Sequence, residues 1–111
     1  MLIEDAYLIM FHILNDYYIE TKNNNSLGSL LSDMDPYLYE DRTAADPALY
    51  DDWYNVMENY IKKGEVKKEV IKVALIDFLT YYQNEFGYEL KEVILHISNM
   101  DVNKSNNGRC K

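Results

Sequence analysis

The sequence predicts an all-α fold, a compact bundle of four to five helices followed by a disordered C-terminal tail. Three observations lead there. Apolar residues recur at steps of three and four in most of the chain. Helix start and stop signals separate those runs, the clearest being Asp46-Pro47-Ala48 and Gly87. The chain has 111 residues, 48 % of them apolar, enough to bury a core in one domain and without an internal repeat or linker. We therefore expect one helical domain over residues 1–102 and a polar tail over 103–111.

The elements follow in order. Leu2, Ile3, Ala6, Tyr7, Met10, Ile13, Leu14 and Tyr17 predict a helix over 2–20, with Glu4 and Asp5 at its positive dipole end. Lys22-Asn23-Asn24-Asn25 ends it. A short helix over 26–31 starts from Ser26 as cap, and Asp35-Pro36 stops it, because a residue before proline avoids the helical region. Residues 35–45 read as a loop whose Tyr37, Leu38 and Tyr39 are apolar enough to pack on the domain. Asp46 caps the next helix and Pro47 fits its first position. Leu49, Trp53, Val56, Met57, Tyr60 and Ile61 form its stripe, Lys62 and Lys63 suit its C-terminal dipole, and Gly64 supplies a left-handed cap. A longer helix over 65–86 carries two apolar sides, as a central buried helix would, and Gly87 closes it. Leu90, Val93, Ile94 and Ile97 have helical spacing, but Val-Ile-Leu-His-Ile also suits a strand, and both remain open.

Charge divides the chain. Residues 1–60 hold twelve acids and two bases, whereas residues 61–111 hold seven acids and nine bases. The total of −8 disfavours direct nucleic-acid binding, since phosphates are repelled and no counterions are released. It favours a basic protein partner, steered toward the first half. The single cysteine, Cys110, excludes an intrachain disulfide and suits a reducing cytosol. The apolar runs are shorter than the roughly 20 residues of a membrane span, and acids stand where a signal peptide carries bases. We expect a cytoplasmic protein that does not engage membranes.

The sequence contains no Gly-rich phosphate loop, no nucleophile elbow and no Cys-x-x-Cys. His12 and His96 stand alone, without a second histidine at metal-ligand spacing, and fit a core boundary. Asp33-Met-Asp-Pro-Tyr lacks the calcium-loop pattern, and no Glu-x-x-His pair occurs. No catalytic residue, metal or cofactor is expected. The feature that remains is the stretch from Asp33 to Tyr54, with seven acids, four tyrosines, the only tryptophan and Arg42. Aromatic anchors rimmed by charge are the makings of a protein interface. Asp46 and Pro47 are explained locally, and Trp53 reads as core. For Tyr37, Tyr39 and Tyr50, core and interface roles both stay open. The partner-binding candidates are Asp33, Asp35, Tyr37, Tyr39, Glu40, Asp41, Asp51 and Asp52.

Leu27-Gly28-Ser29-Leu30-Leu31-Ser32-Asp33-Met34, with Ala45-Asp46-Pro47-Ala48 and Asp52-Trp53, resembles a pattern in small bacterial immunity proteins of polymorphic-toxin and contact-dependent growth inhibition systems. The resemblance covers residues 26–53, a quarter of the chain. Where that family's loop often carries Gly before Ala-Asp-Pro, this chain has Asp41-Arg42-Thr43. The resemblance implies a small, cytoplasmic, non-catalytic protein that neutralises a cognate toxin, many such toxins being nucleases with basic sites. Two alternatives stand beside it: a helical adaptor or oligomerisation module whose acids only solubilise, and a small enzyme with a carboxylate site.

Overall fold

The computed structural model describes residues 1–21, 24–37 and 45–100. The expected tail at 103–111 lies outside them, as do Leu38, Tyr39, Glu40 and Asp41 of the loop. The fold is all-α, with five helices and one two-stranded hairpin among the described residues: α1 (Ile3–Thr21), α2 (Asn25–Met34), α3 (Pro47–Met57), β1 (Ile61–Lys62), β2 (Glu65–Val66), α4 (Ile71–Phe86) and α5 (Lys91–Ser98).

Helix α1 forms as its periodicity predicts and buries Ala6, Tyr7, Met10, Phe11 and Leu14. Helix α2 is longer than expected, beginning one residue earlier and running three residues further. Its cap is Asn24, whose Oδ1 accepts from the Leu27 N–H at 2.9 Å, so Ser26 is not the cap. The Ser26 hydroxyl oxygen accepts instead from the Glu89 N–H at 3.0 Å, while Asn24 Nδ2 donates to the Glu89 carbonyl at 2.9 Å. Two side chains at the start of α2 thus fasten the α4–α5 turn. Gly28 leaves room for Tyr18: a Cβ there would lie 3.0 Å from the Tyr18 hydroxyl, so that ring would have to shift. The helix ends at Met34, just before Asp35-Pro36, as the proline rule dictates.

Helix α3 starts where the sequence places it. Asp46 is extended, its carboxylate accepts from the Ala48 N–H at 3.0 Å, and Pro47 occupies the first turn. The helix does not run on to Lys63 with Gly64 as its cap. It stops at Met57, and Ile61 and Lys62 pair antiparallel with Val66 and Glu65. Lys63 and Gly64 form the two-residue turn, with φ of 54° and 76°. A hairpin loop of two residues with positive φ at both matches the right-handed strand twist, so Gly64 serves a turn rather than a helix end. Met1 adds to this hairpin: its ammonium donates to the Val66 carbonyl and the Val66 N–H donates to the Met1 carbonyl, each at 2.9 Å.

The expected helix over 65–86 is therefore shorter. Glu65 and Val66 belong to β2, Lys68–Val70 make one 3-10 turn, and α4 proper begins at Ile71. Its buried face is Ile71, Ala74, Leu75, Phe78, Leu79 and Tyr82, while Val73, Asp77 and Tyr81 on the second side are exposed. One side of α4 is core and the other is surface. Gly87 closes it with φ of 74°, its N–H donating to the Gln83 carbonyl. Residues 91–98 are helical, which settles the open choice: Val93 and Ile97 are buried while Leu95, which a strand would bury beside them, is 60 % exposed.

Tyr82 meets Asp52 and Tyr60 meets Asp77, so α3 and α4 lie antiparallel. The N-terminal end of α3 thus sits beside the C-terminal end of α4. Trp53 is fully buried, as the sequence predicts, with its indole N–H on the Met10 sulfur at 3.1 Å. Tyr7 stands edge-on to it at 4.9 Å, and half-buried Tyr50 lies 5.4 Å away. This aromatic trio joins α1 to α3. Edge-to-face pairs of this kind add about 0.5–1.5 kcal/mol beyond area burial. The buried Tyr7 hydroxyl donates to the Met34 carbonyl at 2.6 Å, which anchors the end of α2 to α1.

Candidate protein-binding edge

The candidate acids come from two helix ends that the fold brings together. The Asp46 N–H donates to the Asp33 carbonyl at 3.0 Å, so the last turn of α2 abuts the first turn of α3. Asp33 is half-buried, and its carboxyl is held above the ordinary aspartate value by desolvation and then by the negative charge of Asp46. Asp35, two residues on, accepts from the Tyr37 N–H at 2.9 Å and shapes the turn that leaves α2. The buried Tyr7 hydroxyl is pushed up by burial first, then by Tyr50 and Asp35.

Asp52, one turn into α3, accepts from the Tyr82 hydroxyl at 3.0 Å. Burial raises the Tyr82 hydroxyl well above the tyrosine range; its bond to Asp52 and the charges of Asp52 and Asp46 add to the effect. The Tyr81 hydroxyl is also raised, by Asp52 first, then slight desolvation, then Glu85. The electrostatic contributions at Asp33, Tyr7, Tyr81 and Tyr82 all have the sign of added negative charge. Asp33 and Asp46 meet at the α2–α3 junction, with Asp35 just past the end of α2 and Asp52 further along α3 against Tyr82; we call this the acidic edge, and Glu85 on α4 acts with Asp52 on Tyr81. Asp51 is exposed but stands about 100° around the helix from Asp52.

Tyr37 is 54 % exposed yet held in place. Its hydroxyl and His12 Nε2 are hydrogen-bonded at 2.7 Å, and its ring stands edge-on to Phe11 at 6.1 Å. It packs on the domain as expected while keeping a face to solvent. Tyr39, Glu40 and Asp41 fall outside the described residues, and so does any role for them. His12 is exposed and engaged with Tyr37, and His96 is exposed with its ring 4.6 Å from Tyr17; neither lies deep in the core. Among the described residues no group of three or more His, Cys, Asp and Glu is placed to hold a metal ion, and no helix is long and apolar enough to cross a membrane.

Sequence reasoning missed the aromatic flank of this edge. Tyr81, Tyr82, Phe86 and Tyr88 cluster at the end of α4, with Tyr82 as the hub at 5.8, 4.7 and 5.7 Å from the other three rings. Tyr82 is buried, but Phe86 is 54 % and Tyr81 38 % exposed. The available signal was four aromatics within eight residues around a helix-ending glycine. A surface groove of about 630 Å³ lies between α1 and α2, and Asp35 is the carboxylate among its lining residues.

Comparison of the chain with protein-family models, curated proteins and solved structures finds no match.

Proposed function

We propose that this is a non-catalytic, cytoplasmic binding protein that neutralises a basic protein partner by capturing it on the acidic edge, as an immunity protein neutralises its cognate toxin. The observation that carries this reading is the α2–α3 junction, where the Asp46 N–H bonds the Asp33 carbonyl, the Asp46 charge acts on Asp33, and Asp46 and Asp52 both act on Tyr82. Like charges held together cost the isolated fold some stability, and a cationic partner turns that repulsion into attraction. A basic nuclease domain would present such a partner surface, and an acidic edge would occupy it in place of phosphate.

The test is affinity capture from the native host with the wild-type protein and with an Asp33→Asn/Asp51→Asn/Asp52→Asn variant. The expected result is one basic protein, retained by the wild type and lost or weakened at least about tenfold by the variant, in line with desolvated charge pairs at interfaces. If the variant retains the partner at wild-type affinity, the acids only solubilise and the protein is better described as a helical adaptor. Recovery of no basic partner would count against the proposal as a whole.

A further inference from the structure

The aromatic cluster at the end of α4 is larger than the core needs. Tyr82 is buried and bonded to Asp52, but Phe86 and Tyr81 leave much of their rings in water, 4.7 and 5.8 Å from the Tyr82 ring centroid. Exposed aromatics grouped beside carboxylates differ from scattered apolar residues, which need no explanation. Here the Tyr81 hydroxyl lies within the field of both Asp52 and Glu85, and Glu85 shares a helix face with Tyr81 four positions earlier. Two exposed aromatic rings, 6.2 Å apart and near-perpendicular, thus lie at the corner where Asp52 and Glu85 act on Tyr81.

We infer that the corner formed by Tyr81, Phe86, Asp52 and Glu85 is a seat for an arginine side chain of the protein partner. This rests on the acidic-capture reading and names its anchor. The charge complementarity is direct, since the described groups named here are two carboxylates and two exposed aromatic rings. Arginine fits better than lysine. Its planar guanidinium stacks on an aromatic face while its N–H fork binds a carboxylate, whereas the ammonium of lysine is a compact, strongly hydrated charge.

The test uses acetyl-hexaarginine amide and acetyl-hexalysine amide as probes, titrated into the full chain by NMR and calorimetry. The hexaarginine peptide is expected to bind about five- to thirtyfold more tightly, the range of one partly desolvated cation–π contact. Its shifts should centre on the Tyr81 and Phe86 ring protons. A Tyr81→Leu/Phe86→Leu variant keeps the apolar bulk, removes the π faces and should abolish the difference between peptides. Asp52→Asn should weaken both. Equal binding of the two peptides to the wild type would overturn the arginine seat and leave acidic capture standing, whereas binding of neither would overturn both. An arginine preference that persists in the leucine variant would also overturn the seat. So would a concentration-dependent dimer that the leucine variant abolishes, because a second copy would then be the occupant.

Discussion

Asp46 has two roles that substitution can separate. Its carboxylate caps α3 through the Ala48 N–H at 3.0 Å, and its charge raises the carboxyl of Asp33 across the helix junction. Asp46→Asn and Asp46→Ala remove the same charge, but only asparagine keeps a capping oxygen. The difference between them therefore measures the cap, and should be about 1 kcal/mol in favour of asparagine. For a domain of this size that corresponds to a difference in Tm of about 4 °C. The comparison of asparagine with wild type measures the charge. Loss of the favourable dipole interaction opposes relief of the repulsion with Asp33, so the net change near pH 7 should stay within about 0.5 kcal/mol.

The pH dependence provides a second readout. A carboxyl raised in the folded state binds its proton more tightly there than in the unfolded chain. Asp33 therefore favours folding more at low pH, and that contribution is lost as pH rises from its ordinary value through its raised one. In Asp46→Asn this acid-side loss should shrink. Urea unfolding, followed by circular dichroism and by the fluorescence of the single buried Trp53, gives all three comparisons. Equal stability of the alanine and asparagine variants would refute the cap, and an unchanged acid limb in Asp46→Asn would refute the Asp33–Asp46 coupling.

Three further outcomes follow from the packing. Tyr7→Phe leaves the buried Met34 carbonyl without the Tyr7 hydroxyl and should cost about 1–3 kcal/mol in denaturant midpoint measurements. Trp53→Ala should cost about 3–5 kcal/mol or prevent folding, whereas Phe86→Ala, at an exposed ring, should cost far less by the same assay. Tyr7 and Tyr82 both hold their protons more tightly when folded, so stability should fall as pH climbs above the ordinary tyrosine value of 10.0; tyrosinate absorbance should show these two ionising only with unfolding.

Most of the helical layout was legible in the sequence because helix periodicity and end signals are local. Asp46-Pro47 marked the start of α3 and Gly87 the end of α4, since capping and left-handed backbone are set by a few neighbouring residues. The hairpin was not legible. Ile61-Lys62 and Glu65-Val66 are too short to alternate, and Lys63-Gly64 imitates a helix end until the paired positive φ values are seen. The role of Ser26 depends on Glu89, sixty-three residues away, which no local rule reaches. The same limit applied to the candidate edge. Asp33, Asp35 and Asp52 could be singled out by composition, but the meeting of Asp52 with Tyr82 depends on the antiparallel packing of α3 against α4. Periodicity placed Tyr81 on an apolar stripe with Asp77, and the structure leaves both exposed.

The central claim is electrostatic capture of a basic protein, and the salt dependence of binding tests it most directly. The purified chain would be titrated with the basic protein recovered from its host at salt concentrations from about 0.01 M to about 1 M, over which the screening length contracts from about 30 Å to about 3 Å. The expected result is a Kd that weakens on the order of tenfold or more, chiefly through a slower association rate, with the effect reduced in the Asp33→Asn/Asp51→Asn/Asp52→Asn variant. A Kd that stays constant across that range would contradict it.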